Sequence, residues 1–478
     1  MYAISELDIE RRADRDNPWW TDENVEVVDP RFPKRIYYRS FSALALNFEV
    51  RRAAVLLGPR RVGKTVMIRQ MIAEAIGRGF PRQNILYASI DAPIYAGYPL
   101  ERYLKFFKSF SNSDRYIVVF DEIQYLKDWE IHLKDLVDTY PNIKFVVTGS
   151  AAAALRLKSK ESGAGRFSEF MLPPLTFYEY QEFLGIENKY VRSSGHNSYV
   201  VNDIEALNRT FVDYLNYGGY PEAVLNDHVR SNAEQYIRND IIDKVLLKDL
   251  PSLYGINEIQ ELNRLFSFLA YNAGNEASLE KISQASGLAK PTIKRYIEYL
   301  ESAFLIIKLQ TMDENCRSLQ RERNFKIYLN NPSMRAALFG PIDYTDTDRI
   351  GHLAESAVFS QFQHSPAARR LRYARWKNEG EVDLVFLTQE DERPHWIGEI
   401  KWSDRIKSDL RQQTRHLIAF ARKHRSLRAL LFTSKTISTK VDVDEFSISI
   451  VPTALYCYAL GMKVATDLEQ ASNLVEPG

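Results

Sequence analysis

The sequence predicts an α/β protein with a parallel sheet around a phosphate loop, a helical middle, and a second α/β unit toward the C-terminal end. Three observations carry this. An apolar run, Ala53 to Leu57, enters a glycine-rich loop and then an apolar-periodic helix. Downstream, bulky apolar strands alternate with helices and end in polar residues, the pattern of a parallel sheet with ligands at the carboxyl ends of its strands. Beyond about residue 346, charged side chains stand inside otherwise apolar strands.

A chain of 478 residues is long enough for roughly three cores, because one core seldom grows beyond about 250 residues. With 45% hydrophobic and 26% charged residues it has the composition of a folded protein, and no low-complexity segment argues otherwise. Two cysteines, Cys316 and Cys457, build neither a disulfide framework nor a four-ligand zinc site, and the eight histidines show no paired metal spacing. A reducing, cytoplasmic compartment is therefore expected. The N-terminus is acidic and amphipathic, without the basic start and apolar run of a signal peptide. No apolar run nears the roughly 20 residues that span a bilayer, so a soluble chain with no membrane partner is expected.

The loop reads Gly58, Pro59, Arg60, Arg61, Val62, Gly63, Lys64, Thr65, Val66, with its glycines at the spacing G-x-x-x-x-G-K-[ST]. Such a loop turns successive N–H groups and a helix N-terminus toward one spot, where phosphate oxygens are favoured. Lys64 can reach the β- and γ-phosphates of ATP, and the Thr65 hydroxyl can ligate Mg2+. These nine residues are the expected nucleotide site.

The rest of the first region is organised around that loop. Residues 3 to 15 read as a helix, and Asn17, Pro18, Trp19 and Trp20 as an aromatic stop that packs back on the domain. Arg35 to Arg39 (RIYYR) reads as a strand leading toward the loop, and residues 65 to 78 as the helix after it. Ile85 to Asp91, Tyr116 to Gln124 and Phe145 to Ser150 read as buried strands. The second ends in Asp121 and Glu122: Asp121 is placed to hold Mg2+ directly or through water, and Glu122 to orient and deprotonate the attacking water. Thr148 or Ser150, ending the neighbouring strand, can sense the γ-phosphate.

From about Asn226 the pattern turns helical. Ile259, Leu262, Leu265, Phe266 and Leu269 form one helical stripe over 259 to 272. Ser278 to Gln310 then reads as a helix, a turn at Gly287, a second helix from Lys290-Pro291, and an apolar strand, which is a winged helix-turn-helix. Its second helix offers Thr292, Lys294, Arg295 and Tyr296 outward, where they can meet DNA. Six Lys and Arg against five Asp and Glu over 259 to 310 make the segment barely basic, and packing within the chain or on another subunit is the alternative.

A third region begins near Asp346. Ile350 to Phe362 reads as a helix carrying Glu355; Arg370 to Trp376, Glu381 to Thr388 and Trp396 to Trp402 read as strands, with a turn at Asn378-Glu379-Gly380. A helix from Lys407 to His424 and a strand from Leu427 to Phe432 follow. Asp383 lies in one strand; Glu399 and Lys401 lie two apart in the next, on one face. A charged face inside apolar strands is costly unless it binds something. Two carboxylates and a lysine at adjacent strands suit metal-dependent phosphodiester hydrolysis. Asp383 and Glu399 would hold Mg2+ with help from the Ile400 carbonyl, Lys401 would position the hydroxide, and Glu355 would add to the oxygen shell. The tripeptide E-x-K alone is weak, since Glu187-Asn188-Lys189 spells it too. Residues 1 to 30 carry a net charge of −6 and residues 369 to 440 a net charge of +8, the latter suiting a nucleic-acid-facing surface or an ordinary solvated face.

The loop GPRRVGKT, the strands VVFDEIQ and VVTGS, the pair Gly165-Arg166 before LPPLTFYEY, and GGYPE at Gly218 to Glu222 resemble a widespread group of prokaryotic AAA+ ATPases. In that group a winged-helix segment and a restriction-endonuclease-like domain follow the ATPase. The resemblance implies that Arg166 is an arginine finger acting on a neighbouring subunit's nucleotide, and hence a homo-oligomer. Where such proteins often carry more serines after TGS, this chain has Ala151 to Ala154. The order of helix with Glu355, strand with Asp383, then strand with Glu399 and Lys401, is similar to the PD-(D/E)xK nuclease superfamily, except that Val382 stands where that superfamily has proline. Expected boundaries are an N-terminal arm with its leading strand at 1–50, the P-loop AAA+ domain at 51–225, the helical lid and winged helix at 226–345, and the nuclease-like domain at 346–478. The function expected is ATP binding and hydrolysis that control a Mg2+-dependent nuclease acting on DNA, with RNA open. The alternative is a nucleotide-switched scaffold that grips DNA or a partner without cutting it.

Overall fold

Five short apolar runs become one parallel sheet in the computed structural model: β1 (Ala53–Leu57), β2 (Ile85–Ser89), β3 (Tyr116–Asp121), β4 (Ile143–Gly149) and β5 (Phe167–Met171). The structure describes residues 5–107, 110–111, 114–150, 165–195, 198–312, 324–376, 380–390, 392–424 and 427–473. Ala151 to Ala154, Cys316 and the turn residues Asn378 and Glu379 lie outside these. The strand order is β2-β3-β4-β1-β5, with Leu57 level with both Gly149 and Met171, and Ser89 level with Asp121. Every residue of β1, β3 and β4 is buried, as central strands covered on both faces require. The chain falls into two units, residues 1–173 with 465–478, and residues 174–464.

In the first unit, Ser5 caps the helix Glu6–Asp16 by accepting from Asp8 N at 3.2 Å. Asn17 then satisfies the edge strand β2: its side chain accepts from Tyr87 N at 2.6 Å and donates to Tyr87 O at 2.9 Å. The indole N–H groups of Trp19 and Trp20 both donate to Ile85 O, so the aromatic stop does pack back on the sheet edge. The expected strand at Arg35 to Arg39 is instead a turn, closed by Tyr38 N donating to Arg35 O at 2.9 Å, followed by the helix Tyr38–Ala45. Tertiary contact overrides the strand-like composition here. Tyr37 and Phe41 both meet the Phe170 ring, and a helical turn brings both to it.

In the second unit, Val191–Gly195 and Ser198–Val201 form a hairpin, β6 and β7. Helices dominate from Ile204 to Ser302. The helix Ile259–Tyr271 leads to β8 (Glu276–Ala277), the helices Leu279–Ser286 and Lys290–Ser302, then β9 (Ile306–Met312) and β10 (Phe325–Leu329). Ser278 accepts from Lys281 N, and Gly287 ends its helix at φ +75°, a left-handed position glycine takes without strain. Lys294 and Arg295 are exposed, but Tyr296 is not outward: it is buried with Ile293, Ile297 and Leu300, whose spacing places all four on one face.

Strands β11 (Leu371–Trp376), β12 (Gly380–Leu387), β13 (Pro394–Glu399), β14 (Ala429–Ser434), β15 (Thr439–Val443) and β16 (Phe446–Pro452) continue the sheet begun by β8 to β10. The result is one nine-stranded mixed sheet, β15-β16-β14-β13-β12-β11-β9-β10-β8, joined where β9 runs parallel to β11. The helix Leu410–Lys423 covers one face through Leu417, Ile418, Phe420 and Ala421, which share a core with Val382, Val385 and Ile397. The helix Thr347–Phe362, capped by Asp346, carries Glu355. Among the described residues no helix is long and apolar enough to cross a membrane.

Candidate functional site

The phosphate loop leaves β1 with backbone that only a few residue types accept. Arg61 (φ +64°) and Gly63 (φ +94°) are left-handed, and Gly63 caps the helix Lys64–Gly77. A Cβ on Gly58 would lie 2.2 Å from Leu172 O, so glycine is required by close backbone approach. Val62 is buried and Val66 half-buried; Arg60 Nη2 donates to the Tyr125 hydroxyl at 3.2 Å. The Lys64 ammonium, 5% exposed, donates to Gly58 O and Pro59 O at 3.1 and 2.8 Å, which curls it over the loop. Arg35 braces the loop from beneath: Nη1 donates to Val62 O at 2.7 Å and Nη2 to Pro173 O at 2.9 Å.

Asp121 is the hub of this site. Its Oδ2 accepts from Thr65 Oγ1 and Tyr87 OH, both at 2.8 Å, and its Oδ1 accepts from Thr148 Oγ1. Burial, then the Asp121 charge, raises the Tyr87 phenol well above its ordinary range, so it stays a donor. Glu122 is left-handed (φ +55°), and its N–H donates to Thr148 Oγ1 at 3.0 Å. Gln124 links the next groups: Nε2 donates to Glu122 Oε2, while Oε1 accepts from Ser150 N at 3.2 Å. The Ser150 hydroxyl is buried and has no partner among the described residues. The structure thus brings Gly58, Lys64, Thr65, Asp121, Glu122, Thr148 and Ser150 together at the carboxyl ends of β1, β3 and β4. Arg166 is not among them. It precedes β5 at the opposite end of the sheet, where its half-exposed Nε lies 2.5 Å from Asp138 Oδ1. Arg35, Tyr87 and Gln124 carried no sequence signal: each is positioned only by the turn or strand end that folding creates.

A second cluster gathers on the nine-stranded sheet. Lys401 Nζ lies 3.2 Å from Asp383 Oδ2 and 2.7 Å from Glu399 Oε1. Lys401 was expected inside a strand running to Trp402, but β13 stops at Glu399. Side chains end the ladder: Ile400 N donates to Asp383 Oδ2 at 3.0 Å, and Lys401 N to Thr433 Oγ1 at 2.8 Å. Glu355 joins from its helix, accepting from Tyr328 OH at 2.8 Å. A residue absent from the sequence reading, Lys326 of β10, enters the same cluster: its Nζ lies 2.5 Å from Glu381, 3.6 Å from Glu355 and 3.7 Å from Asp383. A single lysine in the apolar strand FKIYL is the signal that would have found it, because a buried ammonium demands carboxylates.

Burial, then the Asp383 charge, pushes Glu399 up to about 8 and Glu355 up to about 7. Burial pushes Asp383 the same way, but Lys401, Lys326 and the Ile400 N–H outweigh it and hold that carboxyl below its ordinary value. Burial likewise opposes both ammonium groups, and the carboxylates overcome it, raising Lys326 and Lys401. Among the described residues no group of three or more His, Cys, Asp or Glu is gathered closely enough to hold a metal ion by itself. The oxygen donors nonetheless suit a hard divalent cation, and Glu399 Oε2 is buried without a hydrogen-bond partner.

The family model of an AAA domain matches residues 50–181, and that of a domain of unknown function (DUF8612) matches residues 208–344. An uncharacterized protein of Haemophilus influenzae is 27% identical over 273 residues, 54% of this chain and 62% of its own length. One from Methanocaldococcus jannaschii is 25% identical over 288 residues, 56% of this chain and 59% of its own length. The chain therefore spans under two thirds of both relatives. One from Mycobacterium tuberculosis is 26% identical over 375 residues, 77% of this chain and 75% of its own. Among solved structures, the Aeropyrum pernix Orc1 protein in complex with DNA has 16% identity and a TM-score of 0.31, covering 64% of this chain and 92% of that one. The replication initiator DnaA bound to AMPPCP and single-stranded DNA has 16% identity and a TM-score of 0.28, covering 60% and 92%. The matched domain and the phosphate loop on its five-stranded parallel sheet make residues 50–181 a P-loop AAA+ domain.

Proposed function

We propose that this chain binds and hydrolyses ATP with Mg2+, and that hydrolysis controls a Mg2+-dependent DNA-cleaving centre at Asp383, Glu399 and Lys401. The observation that carries the first half is the convergence of Thr65, Tyr87 and Thr148 on Asp121 beside the curled Lys64. Lys64 would leave its two loop carbonyls for the β- and γ-phosphates, an exchange of neutral acceptors for charged ones. Thr65 and Asp121, already in contact, would hold the ion. Glu122 would orient the attacking water, released by Gln124, and Thr148 or Ser150 would meet the γ-phosphate. Arg166, half-exposed at the far end of the sheet, would exchange Asp138 for the nucleotide of a neighbouring copy, which requires a homo-oligomer.

At the second centre Asp383, Glu399 and Glu355 would hold the cation, and Lys401 would position the attacking oxygen and stabilise charge on the phosphate. Bound Mg2+ supplies charge neutralisation on phosphate at both places and lowers the pKa of water at the second. The basic stretch 369 to 440 and the exposed Lys294 and Arg295 of a winged-helix-like segment support DNA as the partner. Within this reading the labour divides over the regions 1–50, 51–225, 226–345 and 346–478, the last two sharing one sheet. A second reading, a nucleotide-switched scaffold with a non-cleaving centre, is favoured by the two lysines already seated on the carboxylates.

The test is cleavage of linear, circular and single-stranded DNA and of RNA with Mg2+, with and without ATP, comparing the native chain with Asp383→Ala and Lys64→Ala. A gated nuclease loses cutting in Asp383→Ala and loses its ATP dependence in Lys64→Ala. Binding without cutting under every condition replaces it with the scaffold.

A further inference from the structure

All five residues of β10 are buried, and its one charge is Lys326, 4% exposed at the side chain. The strand belongs to the segment preceding the Asp383 region, yet its ammonium stands among that region's carboxylates. Each candidate cation ligand is already shared with an ammonium group: Glu355 with Lys326, Glu399 with Lys401, and Asp383 with both. Glu399, 9% exposed, keeps its Oε2 without a hydrogen-bond partner in the same place.

Lys326 has somewhere to go. Its shortest contact is with Glu381, and Glu276 lies directly opposite it in the β8–β10 register. We propose that Lys326 is a built-in counter-cation which shares Glu355 and Asp383 with a divalent ion, so that ion binding at Asp383 and Glu399 requires Lys326 to retreat onto Glu381. The inference rests on reading the cluster as a cation centre, and the preceding segment thereby sets how tightly the centre loads.

The test is Mn2+ binding to the nucleotide-free full chain, followed by electron paramagnetic resonance of the free ion, with Asp383→Asn defining binding elsewhere. Removing the positive charge that lies 3.6 Å from Glu355 and 3.7 Å from Asp383 is expected to tighten Asp383-dependent binding at least about tenfold in Lys326→Met. Lys326→Arg, which keeps the charge, is expected to show no such gain. On the native chain, Mn2+ is expected to increase acylation of Lys326 by a small anhydride, read by mass spectrometry, and Asp383→Asn to abolish the increase. This second measurement stands even where Lys326→Met does not fold. Asp383-dependent binding that Lys326→Met leaves equal or weaker, or native labelling indifferent to bound Mn2+, overturns the inference alone. Absence of Asp383-dependent Mn2+ binding in both native chain and Lys326→Met overturns the inference and the cation-centre reading together.

Discussion

Replacing Arg35 with methionine isolates the brace beneath the phosphate loop. The guanidinium is 5% exposed and donates to Val62 O and Pro173 O at 2.7 and 2.9 Å. Methionine keeps the length and apolar stem but leaves both carbonyls without these donors. A hydrogen bond from a charged group contributes about 1.5–3 kcal/mol, so two amount to roughly 3–6 kcal/mol, and relief of the buried charge reduces the net to about 3–5 kcal/mol. In a unit of this size each kcal/mol lowers the melting temperature by about 2–4 °C, so a fall of roughly 6–20 °C is expected. Val62 lies inside the loop, so ATP affinity should fall too, and Arg35→Lys, which can serve one carbonyl, should lie between. The assays are thermal unfolding by circular dichroism and titration with a fluorescent ATP analogue. An Arg35→Met chain that melts within a degree or two of native and binds the analogue equally would refute the brace.

Gly58→Ala puts a methyl 2.2 Å from Leu172 O, and Leu172 N is itself bonded to Leu57 O at 2.8 Å, so the backbone there has little freedom to yield. A loss of about 1–3 kcal/mol with weakened nucleotide binding is expected, and unaltered urea unfolding would contradict it. Lys144 is 3% exposed, and burial lowers it from an ordinary 10.5 to about 8. Between pH 8 and 10.5 the unfolded chain holds a proton the folded one has released, so stability should rise with pH across that window. Lys144→Met should melt higher at pH 7 and lose that rise; persistence of the rise in melts taken from pH 7 to 10 would exclude Lys144 as its source.

The phosphate loop was legible because its chemistry is local: two glycines, a lysine and a threonine at fixed spacing, after an apolar strand and before a periodic helix. Asp121 and Glu122 were legible for the same reason, as polar residues ending a run too apolar for a surface strand. Helix boundaries at Ser278 and Gly287 were written in capping residues, whereas the helix expected from Ile350 begins at Thr347, capped by Asp346. Failures occurred where distant contacts chose the outcome. RIYYR has strand composition, yet Phe170 and the carbonyls of Val62 and Pro173 fold it into a turn and helix. The polar neighbours of Tyr296 suggest an outward side chain, yet its spacing from Ile293 and Leu300 puts it on the buried face.

By itself, then, the sequence determined the α/β class, the phosphate loop and the strand-end carboxylates, because each depends on neighbours within a turn or a strand. Only the tertiary structure decided that β8 to β10 and β11 to β16 form one sheet, and that Lys326 therefore reaches Asp383 across strands 57 positions apart in the chain. The physical reason is that period and capping are local properties of a chain. A buried charge, by contrast, is settled by whichever opposite charges folding brings within about 4 Å of it.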